Sequence, residues 1–253
     1  MSVATPLDIL FLITARGGSK GLPGKNLKTV NGLSLLGYKA GAAQRCSACR
    51  RLILSTDNDD IAAEGRRLGV EIPFIRPTDL ASDAATSDSV VAHAMDWIEK
   101  TENRAYDAVM LLEPASPFAT ADHLEEAIAL YTEKDADLVV GLRQLDTYAA
   151  LTGDFRADGS ISEIVEKMHK TGGLRRQDLS PQVTMNGAFY LMNWSAFRKT
   201  GKIYSDPAGC YGLLMDHWHS IEIETPEDLA LAEYAATTGL IDLTPWHETG
   251  VDQ

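Results

Sequence analysis

The chain reads as an α/β protein built on a doubly wound, mostly parallel sheet, and three observations carry that reading. Apolar runs of strand length, such as Ile9 to Ile13, alternate at regular intervals with segments whose apolar residues recur at helical spacing. The runs are continuously apolar, as expected of strands covered by helices on both faces. Polar and charged residues collect where the runs end, which is where open parallel sheets gather their ligands.

In chain order, Ile9 to Ile13 is the first strand and leads into a loop, Arg16 to Asn26, rich in glycine and cations. Asn31-Gly32 marks a turn, after which Leu35, Leu36, Tyr38 and Ala42 form one face of a helix ending near Arg45. Arg51 to Asp57 is a strand with a polar end; it places Ser55, Thr56 and Asp57 near the site, and Asp57 is also suited to cap the helix expected over Asp60 to Leu68. Glu71 to Arg76 is expected as a short strand and Pro77 to Thr86 as a loop. Ser87 or Asp88 then starts a helix with Val90, Val91, Ala94, Met95 and Ile98 on its apolar stripe. Asp107 to Leu112 is the next strand, followed by a helix from about Ala121 to Tyr131 and a strand from Asp137 to Gly141.

From about Leu145 to Thr184 the rhythm breaks. Asp158-Gly159 reads as a hairpin turn, and the basic run Lys167 to Gln177 cannot be core, so 145–184 is an insertion within a single domain spanning 1–253. Asn186 to Met192 and Ser220 to Glu224 return to strand, and alternation in the second puts Glu222 and Glu224 on one face. Thr225-Pro226-Glu227 opens the last clear helix, with Leu229, Ala232 and Ala236 facing inward. The tail after Leu240 carries no periodic signal.

The first loop has the chemistry of a phosphate cradle. Gly17, Gly18, Gly21 and Gly24 let backbone N–H groups converge on an anion, while Arg16, Lys20, Lys25 and Lys28 bring charge to the same place. It is not a nucleotide P-loop, because Ser19 stands at the first glycine position and Asn26 at the last hydroxyl position. The dinucleotide fingerprint also fails, since no G-x-G spacing occurs there. A net charge of -13 argues against nucleic acid or an anionic membrane as partner, so a small, highly charged anion bound at one point fits best.

Three cysteines make no disulfide framework, and the first residues lack a basic segment followed by an apolar one, so a cytoplasmic protein is expected. No apolar run approaches the roughly 20 residues that span a bilayer. Cys46-x-x-Cys49 reads as reduced thiols near a helix end. His217 and His219 would share a strand face, but no third ligand is near in sequence, so they are read as structural. The four tryptophans are read as packing residues.

The polar pieces at strand ends add up to a polycationic loop, Arg76, Glu113, an Arg175-Arg176-Gln177 cluster, and the carboxylates Glu222 and Glu224. Two such carboxylates are reasonable ligands for Mg²⁺, and the whole suits attack on a nucleoside triphosphate, or a nucleotide-binding protein without chemistry. The chain resembles the nucleoside-monophosphate-sugar synthetases of the acylneuraminate cytidylyltransferase (CMP-N-acetylneuraminic acid synthetase) family. The resemblance rests on Ala15 to Asn26, Ser55-Thr-Asp57, Arg76 to Asp83, Pro114-Ala-Ser-Pro117, Arg176-Gln177, Asn186 to Tyr190 and His219 to Thr225. These blocks fall in the family's order over roughly residues 8 to 236.

The resemblance implies a Rossmann-like nucleotidyltransferase fold with an inserted dimerisation arm, a homodimer, CTP and Mg²⁺, and a nine-carbon 2-keto sugar acid as acceptor. It implies that Ala15, Arg16, Lys20, Lys25 and Asn26 hold the triphosphate, with Arg16 and Lys25 also catalytic, and that Arg76 and Ser87 flank the cytosine. Glu113, Arg176, Gln177, Asn186 and Tyr190 fall at sugar-site positions, and Glu222 and Glu224 where the family has paired metal-binding aspartates. His219 and a metal-bound hydroxide are the candidate general bases. Where sialate enzymes usually have glutamine this chain has Glu113, and around Asp146-Thr-Tyr148 it lacks a lysine that they tend to supply. Activation of legionaminate, pseudaminate or an eight-carbon KDO-type acid, with CTP or GTP, therefore stays open.

Overall fold

The computed structural model describes residues 6–145, 151–170 and 181–247. The first half contains β1 (Ile9–Thr14), β2 (Thr29–Val30), β3 (Leu33–Ser34), α1 (Leu35–Arg45), β4 (Arg51–Ser55), α2 (Asp59–Arg67), α3 (Ser87–Glu102) and β5 (Ala108–Leu112). Then follow α4 (Ala121–Lys134), β6 (Leu138–Gln144), α5 (Ser162–Lys170), β7 (Val183–Asn193), α6 (Trp194–Thr200), β8 (Cys210–Leu214), α7 (Pro226–Thr237) and α8 (Thr244–His247).

One mixed sheet holds six strands in the order β4-β1-β5-β7-β6-β8. β1 runs parallel to both neighbours, with Leu12 opposite Ile53 on one side and Leu111 on the other. β7 alone is antiparallel to its neighbours β5 and β6. Among the described residues between β6 and β7 the one α-helix, α5, buries none of its residues, and a strand that returns without a crossover helix on the sheet runs antiparallel.

The sheet is covered on both faces, which is why its strands are apolar throughout. Ile9, Phe11 and Ile13 point to the layer formed with Leu36, Ala40, Leu124 and Ala127 of α1 and α4. Leu10 and Leu12 point to the layer with Val91, Met95, Ile98 and Phe197 of α3 and α6. All five strand residues are fully buried, each contributing about 1.5–3 kcal/mol of transfer free energy. A third cluster joins Val30, Tyr38, Phe118, Ile223, Ala232 and Trp246, so the C-terminal segments pack against the start of α1.

Several local expectations hold in detail. Asn31 and Gly32 have φ of 45° and 83°, the left-handed pair that a tight hairpin between β2 and β3 requires. Thr225 and Asp228 form a reciprocal capping box with Pro226 in the first turn of α7. The described cysteines Cys46, Cys49 and Cys210 are free thiols.

Others are corrected. Of Glu71 to Arg76 only Glu71 bridges Ile53; Pro73, which has no N–H to donate, lies two residues on. Ser220 to Glu224 forms no ladder: Trp218 to Ser220 is a 3-10 turn, followed by a single backbone bond from Ile223 N–H to Ala115 C=O at 2.7 Å. The alternation survives nonetheless, with Ile221 and Ile223 buried and Glu222 and Glu224 exposed. Asn58, not Asp57, caps α2, accepting from Ile61 N–H at 3.0 Å. Gly159 does occupy a turn, with φ of 74°, but α5 follows it in place of a returning strand. The tail carries α8, whose Trp246 indole N–H donates to Tyr38 C=O at 2.9 Å.

Candidate active site

The glycine loop leaves the C-terminal end of β1 and is pinned at three points. Ala15 N–H donates to Ser55 C=O at 3.1 Å, Gly17 N–H to Asp57 Oδ1 at 3.0 Å, and Asn26 Nδ2 to Arg16 C=O at 2.9 Å. Asp57 thus orients the loop. A Cβ on Gly21 would lie 2.5 Å from Glu224 C=O, so the loop lies against the acidic segment and only glycine fits there. Lys25 and Asn26 are buried.

These contacts shape a cavity of about 380 Å³ at the C-terminal ends of β1 and β5. Of the residues expected at the site, Arg16, Lys20, Lys25, Asn26, Arg76, Ser87, Glu113, Glu222 and Glu224 all line it. Ala15 is buried at the root of the loop. Arg176 and Gln177 lie outside the described residues.

Each loop cation that lines the cavity is held by a carboxylate. Arg16 Nη1 lies 3.0 Å from Asp83 Oδ1 and Lys20 Nζ 2.6 Å from Asp83 Oδ2. Lys25 Nζ donates to Glu224 Oε1 at 2.6 Å, across 199 residues of sequence. Side-chain oxygens therefore stand where a phosphate-binding loop would place phosphate oxygens.

On the opposite wall, Ser87 Oγ donates to Glu113 Oε1 at 3.3 Å. Burial pushes the Glu113 carboxyl above its ordinary range, the Ser87 bond opposes this, and neighbouring Glu222 adds to it. Glu222, exposed as a residue but with its carboxyl partly desolvated at the cavity wall, is raised as well, by that desolvation first and by Glu224 second. Burial lowers the Arg76 guanidinium to about 10, with Asp57 partly offsetting it. Arg76 Nε donates to Ser55 Oγ at 3.0 Å, which locks its head against the end of β4.

Asn186 and Tyr190, which the resemblance puts at the sugar site, stand on β7 and do not line this cavity. Asn186 sits inside an irregularity where the β6–β7 register shifts between Val140 and Leu142. Its Oδ1 accepts from Ala188 N–H at 3.1 Å and its Nδ2 donates to Ser220 Oγ at 3.0 Å. Fully buried and engaged at both ends, it shapes the wall from behind. It also sets up Gly187, φ 67°, whose absent Cβ would lie 3.5 Å from Glu222 Oε1 and 3.9 Å from Glu113 Oε2. Tyr190 stands edge-on to Tyr204 at 6.3 Å, and burial, then Glu113, raise its phenol.

Two residues outside the sequence list matter here. Asp83 carries two of the three ion pairs. Lys39 of α1 is completely buried and donates from Nζ to Ala188 C=O at 2.6 Å, bracing the same irregular stretch of β7. Burial lowers its amine to about 7, against an opposing pull from Glu113. A signal for Lys39 existed, because it falls on the apolar stripe of Leu35, Leu36 and Ala42. Asp83 closes the Arg76 to Asp83 block, but its pairing depends on how two distant loops meet. His219 does not line the cavity; its Nδ1 lies 2.6 Å from Asp216 Oδ2.

The wall carboxylates Glu113, Glu222 and Glu224 form an all-oxygen, anionic donor set, which suits a hard cation such as Mg²⁺. Their oxygens are not gathered at one point in this state, with Glu224 held by Lys25.

Comparison with known proteins identifies the family. The chain is 30% identical over 229 residues to the CMP-N,N'-diacetyllegionaminic acid synthase of Legionella pneumophila, covering 90% of this chain and 95% of that protein. It is 26% identical over 224 residues to the pseudaminic acid cytidylyltransferase of Campylobacter jejuni, covering 88% and 94%. A solved CMP:2-keto-3-deoxy-manno-octonic acid synthetase complexed with CTP superposes with a TM-score of 0.66 at 12% identity, covering 91% of this chain and 99% of that one, which supports the fold. Residues 10–198 match the cytidylyltransferase family, a span that holds the glycine loop, Arg76, Ser87 and Glu113, and the chain belongs to that family of nucleotidyltransferases.

Proposed function

We propose that the chain transfers CMP from CTP to the anomeric hydroxyl of a nonulosonic 2-keto sugar acid, releasing pyrophosphate. The observation that carries this reading is the facing of a three-cation glycine loop and three glutamates across one cavity at the C-terminal ends of parallel strands. The anomeric hydroxyl attacks the α-phosphorus in line and releases its proton to solvent, a new P–O bond forms to the sugar, and the bond from the α-phosphorus to the bridging oxygen of pyrophosphate breaks. Arg16, Lys20 and Lys25 offset the negative charge that gathers on the leaving pyrophosphate, after exchanging their carboxylate partners for phosphate oxygens. Arg76 and Ser87 flank the base. Glu222 and Glu224 would hold Mg²⁺, which when bound neutralises phosphate charge.

On the acceptor side Glu113 is the distinguishing residue. A carboxylate there repels the carboxylate of an acid sugar but accepts hydrogen bonds from amide or hydroxyl substituents. That favours a di-amino acid of the legionaminate or pseudaminate kind over sialic acid, in keeping with what the two bacterial relatives are named for. We also propose a homodimer through the insertion, where Phe155, Ile161 and Val165 are exposed.

A panel of CTP, GTP and UTP against sialic, legionaminic, pseudaminic and KDO-type acids, read by pyrophosphate release, tests the reading. Release with CTP and a nine-carbon acid is the expected result. Release only with GTP, or only with an eight-carbon acid, moves the assignment within the fold; tight CTP binding with no release from any acid refutes the enzymatic reading of this chain.

A further inference from the structure

We infer that His123, Asp216 and His219 form a second metal site, separate from the glutamate wall, which takes one zinc-class divalent cation and ties α4 to the segment carrying Glu222 and Glu224. His123 lies in the first turn of α4, whereas Asp216 and His219 lie in the turn after β8. One ligand-capable atom from each lies within 4.8 Å of the other two, and among the described residues no other three His, Cys, Asp or Glu side chains converge in this way. The two imidazoles are 5.1 Å apart and tilted by 58°, so they meet without stacking.

The donors are already oriented. Asp216 Oδ1 accepts from the backbone N–H groups of Trp218 and His219 at 2.9 and 3.1 Å, which leaves Oδ2 beside His219 Nδ1. His123 Nδ1 is held by Thr120, 3.1 Å from its backbone N and 2.9 Å from Oγ1. Thr120 N–H donates to Nδ1, so the neutral ring carries its proton on Nε2; an ion takes Nε2 once that proton has moved to Nδ1, where Thr120 Oγ1 accepts it, and metal-binding histidines are commonly fixed through the other nitrogen in this manner. A turn capped by Asp216 and paired to His219 accounts for those two residues alone. The capping box of α4 engages His123 through Nδ1 and does not account for its ring meeting that of His219.

Two imidazoles and one carboxylate with an open fourth position are the donors of zinc and its first-row neighbours. Mg²⁺, which favours oxygen ligands, is disfavoured. Spacing along the sequence gives no hint of the site, because its histidines come from elements that only the fold brings together. His217, adjacent in sequence, is not among the converging three.

The test uses the full chain stripped with a chelator and dialysed. Zn²⁺ is titrated calorimetrically and Co²⁺ by visible absorption, with millimolar Mg²⁺ present throughout. One ion per chain is expected, with a rise in Tm on adding Zn²⁺, because an ion bound only to the native chain stabilises it. His123→Gln and His219→Gln are each expected to weaken binding by roughly 10-fold or more, whereas His217→Gln binds as the parent does. Asp216→Asn, expected to weaken binding as well, replaces either variant whose circular dichroism shows that it has not folded. Parent binding no tighter than that of the folded cluster variants, or an equal loss in His217→Gln, overturns the site.

Discussion

Lys25 and Asp83 hold the same kind of contact for opposite reasons. Lys25 is buried and reaches Glu224 from a loop that Gly21 lets press against the acidic segment. In the proposed reaction, replacing it removes a charge beside the leaving pyrophosphate, and such a loss commonly costs about 2.7–4 kcal/mol of barrier. Lys25→Ala is therefore expected to lower kcat by roughly 100-fold or more, measured as pyrophosphate release at saturating CTP; near-normal turnover would remove Lys25 from the mechanism. Asp83 is an exposed carboxylate on Arg16 and Lys20, which in the proposed reaction a triphosphate displaces. Asp83→Asn is expected to lower KM for CTP by about two- to fivefold with little change in kcat, the modest size reflecting solvent-exposed pairs. A raised KM would mean that Asp83 matters for ordering its loop and does not compete.

Lys39 shows what an element can hide. On α1 it sits on the buried stripe, and its amine braces Ala188 in the irregular part of β7 that carries Asn186 and Gly187. Its folded-state value of about 7 lies below the ordinary 10.5, so between these values the unfolded chain holds a proton that the folded chain does not. Stability from this group therefore rises with pH from about 7 towards 10.5, and the cost of burying the charge is full below about 7. Urea unfolding across that range should show the parent gaining stability relative to Lys39→Met; parallel profiles would show that the amine does not titrate as described.

The same element-level view explains what the sequence made legible. Ile9 to Ile13, Asn31-Gly32 and Thr225-Pro226 were readable because their geometry is set by neighbours in the chain. The antiparallel direction of β7 was not, since it depends on the path of the insertion. Nor was the placing of Asn186 behind the wall, which depends on Ser220 and Ala188 closing around it. Glu222 and Glu224 share one face, as the alternation predicts, although a single bond from Ile223 to Ala115 supports them and no ladder does.

At the scale of the whole molecule, the six-stranded sheet brings the loop and the glutamate wall together around a cavity that opens at the strand ends. Exposed apolar residues of the insertion give a concrete expectation of assembly: light scattering at micromolar concentration should give twice the chain's 27.5 kDa, and a strict monomer would sink the dimer. The measurement that bears most directly on cytidylyl transfer follows an oxygen atom. The accepted acid, carrying ¹⁸O at its anomeric hydroxyl, is incubated with CTP and the products are weighed by mass spectrometry. Attack on the α-phosphorus gives a CMP-sugar that keeps the label and a pyrophosphate without it. Label in the pyrophosphate, or a coupled product without label, would contradict the mechanism.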